Sequence, residues 1–189
     1  MDQGLWITLG VAAAAVFFFI SLFNRLVALR QRRKNAFSDV DVQLKQRYDL
    51  VPNLVETVKG YAAHEKGVLE TVTAARATAM QGGSIADRSK AEAALGGAMM
   101  NLMAVAENYP QLKADANFRA LQAELSDIEN KIAAARRFFN NATSEYNTNV
   151  QQFPGSLVAR FGGFAEEPFF ELSETEKQAV QDAPKVNFS

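Results

Sequence analysis

The chain has 189 residues, 48% hydrophobic and 22% charged, with a net charge of −1 and no cysteine. Disulfides and thiolate metal sites are thereby excluded, and outside one short basic stretch at 25–34 the balance is acidic, unlike the clustered basic face that a phosphate backbone requires. The length suits one soluble domain whose core needs no staples.

Residues 5–23 form an apolar run without a single charge. As a helix these nineteen residues span roughly 28 Å, close to the approximately 30 Å of a bilayer's hydrocarbon. Thr8 and Ser21 can return their hydroxyls to the helix's own carbonyls, and Trp6 stands where an interfacial aromatic belongs. A cleavable signal peptide would carry its positive charge before the run and small residues after it. Here only Met1 to Gly4 precede it, whereas Arg25, Arg30, Arg32, Arg33 and Lys34 follow. The expectation is a single-pass transmembrane helix in the cytoplasmic membrane, with the N-terminus outside and the body cytoplasmic. Trp6 and the five basic residues are the expected contacts with lipid headgroups.

Residues 35–189 hold fifteen Lys plus Arg against twenty Asp plus Glu, a mildly acidic body. No nucleic-acid partner is expected. Apolar residues recur there at steps of three and four, which predicts helix throughout. A first segment covers 35–80, and Pro52 with Asp49 predicts a kink or restart near 48–52. Gly82 and Gly83 break the pattern, and Ser84 with Asp87 resembles a capping box opening a second helix over 85–108. Gly96 and Gly97 inside that helix predict a close helix approach. A third segment, 111–153, carries the cleanest stripe, from Phe118 through Leu125, Ile132, Phe139 and Tyr146 to Phe153. Its spacing is that of a helix packed at a shallow angle against long neighbours. Pro154 and Gly155 end it, and a short helix over 156–161 precedes Gly162 and Gly163.

The tail is acidic (Glu166, Glu167, Glu171, Glu174, Glu176, Asp182) yet keeps Phe169, Phe170 and Phe188, candidate interaction residues for a partner or for the bundle itself. The domain reading is an anchor with basic flank over 1–34, a helical bundle over 35–161, and a tail over 162–189. The fold class is all-α, one N-terminal transmembrane helix followed by an elongated antiparallel bundle.

Chemistry-bearing constellations are poor. His64 is the one histidine and reads as a surface residue. Asp39 and Asp41 are two apart, on different faces of a helix, and read as solvated. The glycine pairs lack the strand and lysine of a phosphate loop. No catalytic, metal or cofactor residue is assigned, and no enzymatic activity is expected. The asparagines at 35, 53, 140, 141, 147 and 149 divide between solvent and buried pairs that fix register.

Three stretches are more specific than any spacing: NAFSDVDVQLKQRYDLVPNLVETVKGYAAHE at 35–65, AENYPQLKADANFRALQAELSDIENKIAAARRFFNNATSEYNTNVQQFPGSLVA at 106–159, and the PFFEL and APKVNF elements of the tail. With them the chain resembles the LemA family from about Asn24 onward. The resemblance implies one membrane helix, an antiparallel bundle of long helices and no catalytic residues. It also points to membrane organisation and to membrane proteases as company. Departures are small: Lys34 stands where arginine is usual, Phe139 where tyrosine is frequent, and Phe170 follows Phe169 in place of a tyrosine–phenylalanine pair. The functional expectation is a membrane-anchored scaffold or adaptor for protein partners. The alternative is a membrane-shaping homo-oligomer.

Overall fold

In the computed structural model residues 3–170 are described, and they contain helices and no strand. The helices are α1 Gln3–Tyr61, α2 Lys66–Met80, α3 Ile85–Ala106, α4 Pro110–Ala114, α5 Ala116–Gln151 and α6 Gly155–Gly162. The fold class is the predicted one, all-α with a long apolar N-terminal helix as the candidate membrane span. Two compact units divide the chain, residues 3–40 with 135–168 and residues 41–134 with 169–170, so α1 and α5 contribute to both.

In the first unit α1 and α5 run antiparallel. Arg32 meets Glu145 at 2.9 Å, Arg33 meets Thr143 at 3.0 Å, and the Phe37 ring centroid lies 5.3 Å from that of Phe139. Leu26, Leu29, Tyr146 and Val150 build the core between them, and Val158 and Ala159 of α6, with Phe164 just beyond it, close that core. Gly163 ends α6 at φ 67°, a left-handed conformation that glycine adopts without a Cβ penalty. The Phe164 N–H then donates back to the Ala159 carbonyl at 2.9 Å.

The second unit packs four long helical segments in alternating directions, with the short α4 between α3 and α5. α2 returns along α1, with Arg76 reaching Tyr48, and α3 runs with α1, pairing Arg88 with Asp41 and Glu92 with Tyr48. α5 runs back, placing Glu129 on Arg47. Leu44, Leu54, Val58, Leu95, Leu102 and Ile128 are among its buried side chains.

Several boundaries differ from expectation. The predicted restart near 48–52 is absent: α1 continues through Pro52, and the chain turns only at 62–65, where His64 is exposed. Proline at 52 has no N–H for the carbonyl four residues earlier, that of Tyr48. Arg76 Nε donates to that same carbonyl at 2.6 Å, so a side chain of α2 replaces the missing backbone bond. Arg76→Ala therefore destabilises the second unit by about 1–3 kcal/mol through an orphaned carbonyl. In a Pro52→Ala background, where the helix supplies its own donor, the loss is expected to shrink, a coupling that a double-mutant cycle in urea reads.

The single segment over 111–153 is instead α4 and α5, divided at Asp115. Its carboxylate accepts the Phe118 N–H at 2.9 Å and caps α5. That bond first, and the Tyr61 hydroxyl second, hold Asp115 below the usual carboxylate range. The Ser84 cap of α3 is as predicted, accepting from the Asp87 N–H at 3.2 Å. The predicted close approach at Gly96 and Gly97 is not found, since a Cβ at either would meet nothing within 4 Å. Phe153 leaves the α5 stripe and is 80% exposed, because α5 ends at Gln151.

Candidate functional site at the end of the apolar segment

The first unit concentrates its polar chemistry where α1 leaves its apolar segment. Arg33 is the centre. Its side chain is buried, with Nε donating to Thr143 Oγ1 at 3.0 Å and Nη2 donating to the Pro168 carbonyl at 2.9 Å. Nη1 lies 3.2 Å from a Glu167 carboxylate oxygen, and the guanidinium lies 4.9 Å above the Phe139 ring. A planar, multiply donating cation suits this position as lysine would not. Burial lowers the Arg33 pKa and Glu167 partly offsets that shift, so the cation persists at neutral pH.

About one turn along α5 from Thr143, buried Asn147 makes the complementary contact. Its Nδ2 donates to the Glu167 carbonyl at 2.9 Å while its Oδ1 accepts the Glu167 N–H at 2.9 Å. The amide thus satisfies a backbone segment as a neighbouring strand would. Burial, and then the Glu167 charge, hold the nearby Tyr146 hydroxyl above its ordinary range. Together Arg33 and Asn147 clamp the irregular segment 164–168 onto α1 and α5.

Of the predicted headgroup contacts, Trp6, Arg25, Arg30, Arg32 and Lys34 are exposed. Arg30 lies 4.8 Å from the Phe164 ring centroid, and Arg32 pairs with Glu145. Arg33 departs from the expectation: its donors serve the clamp, and its burial removes it from a headgroup. Among the candidate interaction residues Phe169 is exposed, whereas Phe170 is 2% exposed and so is occupied within the protein rather than presented to a partner. Phe188 lies outside the described residues.

The second unit holds a buried polar cluster that residue spacing did not single out. Arg47 pairs with Glu92, both almost wholly buried, and also with Glu129 at 2.9 Å. The Tyr48 hydroxyl donates to Glu92, with the Ala79 carbonyl 3.3 Å away as alternative acceptor. Asp41, read from sequence as solvated, is half-buried and bonded to Arg88 at 2.6 Å. A signal did exist in part, since Arg47 and Tyr48 fall on the same helical face as Leu44 and Val51. These groups cross-link α1, α2, α3 and α5, a structural task.

Residues 36–188 match the LemA family model. The chain belongs to the LemA family. Among curated relatives, this LemA-family protein is similar to "Magnetosome protein MamQ 2" and "Magnetosome protein MamQ 1" of Paramagnetospirillum magneticum, each 23% identical over 175 residues, 79% of this chain and 64% of theirs. "Magnetosome protein MamQ" of Magnetospirillum gryphiswaldense is also 23% identical, over 78% of this chain and 64% of its own. The chain thus spans under two thirds of the length of these relatives. Family membership and the apolar helix together make this a membrane-associated protein.

Proposed function

We propose that this LemA-family protein is a membrane-anchored helical scaffold that holds protein partners at the membrane surface and performs no catalysis itself. The observation that carries the reading is the outer face of α3. Ala93, Gly97, Met100 and Ala104 recur at helix spacing and are all exposed, Met100 by 66%. Small residues beside a flexible thioether let another helix approach closely. Meanwhile the buried arginines are engaged inside their own units, Arg33 with Thr143, Glu167 and Pro168, and Arg47 with Glu92 and Glu129. What the body offers a neighbour is therefore apolar shape. Relatives named as magnetosome proteins rather than as enzymes fit this reading.

The same face supports the second reading, a homo-oligomer built by packing α3 on a second copy in a self-complementary interface. A photo-crosslinking residue at Met100, in the full-length protein in its cell, separates the two. Adducts with other membrane proteins, membrane proteases among them, support the scaffold; adducts only with itself support self-assembly. Gly97→Ala sharpens the test. With open space beside it, the change stabilises the helix by about 0.5–1 kcal/mol and raises the unfolding temperature. Under either reading it also weakens crosslinking from Met100; unchanged crosslinking would remove α3 as the interface.

The proposed topology puts the N-terminus outside and the body in the cytoplasm. Burial of Arg33 does not alter that argument, because the charge bias acts on the chain during insertion, before the clamp forms. Labelling of single cysteines on either side of intact cells, in a chain with none of its own, tests the assignment.

A further inference from the structure

We propose that α6 is a second, interfacial membrane contact, lying along the bilayer surface with Phe153, Leu157 and Phe161 inserted among lipid tails. The inference rests on the reading of residues 5–23 as the membrane span. Phe153, Leu157 and Phe161 follow one another at intervals of four and are 80%, 52% and 81% exposed, while Val158 and Ala159 face the core. Aromatic side chains this exposed on a soluble surface call for an occupant.

Position names the occupant. The Phe23 ring, last of the apolar run, packs edge-on against Phe164 with centroids 5.3 Å apart. A Cβ on Gly162 would come within 3.0 Å of that Phe23 ring and 2.6 Å of the Phe164 ring, so glycine is what lets the end of α6 lie against the end of the span. The antiparallel pairing that sets Arg33 opposite Thr143 and Phe37 opposite Phe139 carries Gln151, the last residue of α5, to about the level of Arg25, and Phe153 follows two residues beyond it. All three exposed apolar side chains therefore belong to the region where a membrane-spanning α1 would leave the hydrocarbon. Arg160 on α6 and Arg25 and Arg30 on α1 are exposed beside them. A basic, aromatic helix of this kind matches the boundary between anionic headgroups and acyl chains.

Because the chain has no cysteine, single substitutions Leu157→Cys, Phe161→Cys and Val16→Cys carry a nitroxide at one place each. The full-length protein is reconstituted in vesicles of zwitterionic and anionic phospholipid, and relaxation by oxygen and by a water-soluble nickel complex gives label depth. The expected result is a label at 157 and 161 with an oxygen-to-nickel ratio several-fold above that of a water-exposed nitroxide, at a depth of about 5–10 Å, with Val16 deeper. Labels at 157 and 161 in water while Val16 lies in hydrocarbon overturn the α6 contact and leave the span standing. All three in water overturn both. A label at 161 that is immobile and shielded from both quenchers would mean that protein, a second copy included, covers this face, and would overturn the lipid assignment.

Discussion

Glu92→Ala is expected to destabilise the second unit by about 3–5 kcal/mol, the loss seen when one partner of a buried ion pair is removed. The magnitude follows from what stays behind. Arg47 is 4% exposed, and its remaining partner, Glu129, is a half-exposed carboxylate whose attraction solvent screens. Tyr48 also loses its carboxylate acceptor, leaving the more distant Ala79 carbonyl. Against a typical stability of about 5–15 kcal/mol, such a loss brings much of the unit close to unfolding. Urea denaturation, or hydrogen exchange of α1, α2 and α3 amides, reads the effect.

The companion variant separates desolvation from packing. Arg47→Met combined with Glu92→Leu removes both charges and refills the space with apolar atoms. It should regain most of the stability, because a buried ion pair is often no better than a well-packed apolar substitute. A loss under about 1 kcal/mol for Glu92→Ala alone would mean that water reaches Arg47.

The helices were legible because amphipathic periodicity is a local signal, and Phe118, Leu125, Ile132, Phe139 and Tyr146 are buried as their spacing requires. Pro52 misled for a reason equally physical. A proline breaks a helix unless some other donor serves the freed carbonyl, and that donor, Arg76, lies 28 residues from Tyr48. Arg33 misled because a basic residue after an apolar run looks the same whether it faces lipid or the protein. Only the docking of Glu167 and Pro168, more than 130 residues away, decides which. Asn147 lay within the asparagines noted for paired bonds, but its partner is the backbone of an irregular segment, which has no periodicity to betray it. The α3 face was legible only in part, because Ala93, Gly97, Met100 and Ala104 are small or apolar like the buried Leu95, Met99 and Leu102 beside them, and residue type does not tell the covered side from the open one.

Arg33→Ala is expected to release residues 164–168 from the first unit at a loss of about 1.5–3 kcal/mol, the range for charge-assisted hydrogen bonds. The loss stays below that at Glu92 because Glu167, freed of its partner, is already about a third exposed and can take up water. Arg33→Lys should recover only part of the loss: an ammonium can reach Glu167, but it cannot keep the planar fork that serves Thr143 and Pro168 together. Asn147→Asp attacks the same segment from the other side, since a carboxylate accepts the Glu167 N–H but faces the Glu167 carbonyl with no hydrogen to donate. Hydrogen exchange of the Glu167 amide should therefore quicken in both variants, more in Arg33→Ala combined with Asn147→Asp than in either alone. Because Phe164 belongs to the clamped segment and to the core that holds α6 beside Phe23, loosening the clamp should also increase the mobility of a nitroxide at 161. A Glu167 amide that exchanges as slowly in the double variant as in the parent would show that the hydrophobic contacts of Phe164 hold the segment by themselves, and that Arg33 is buried for some other reason.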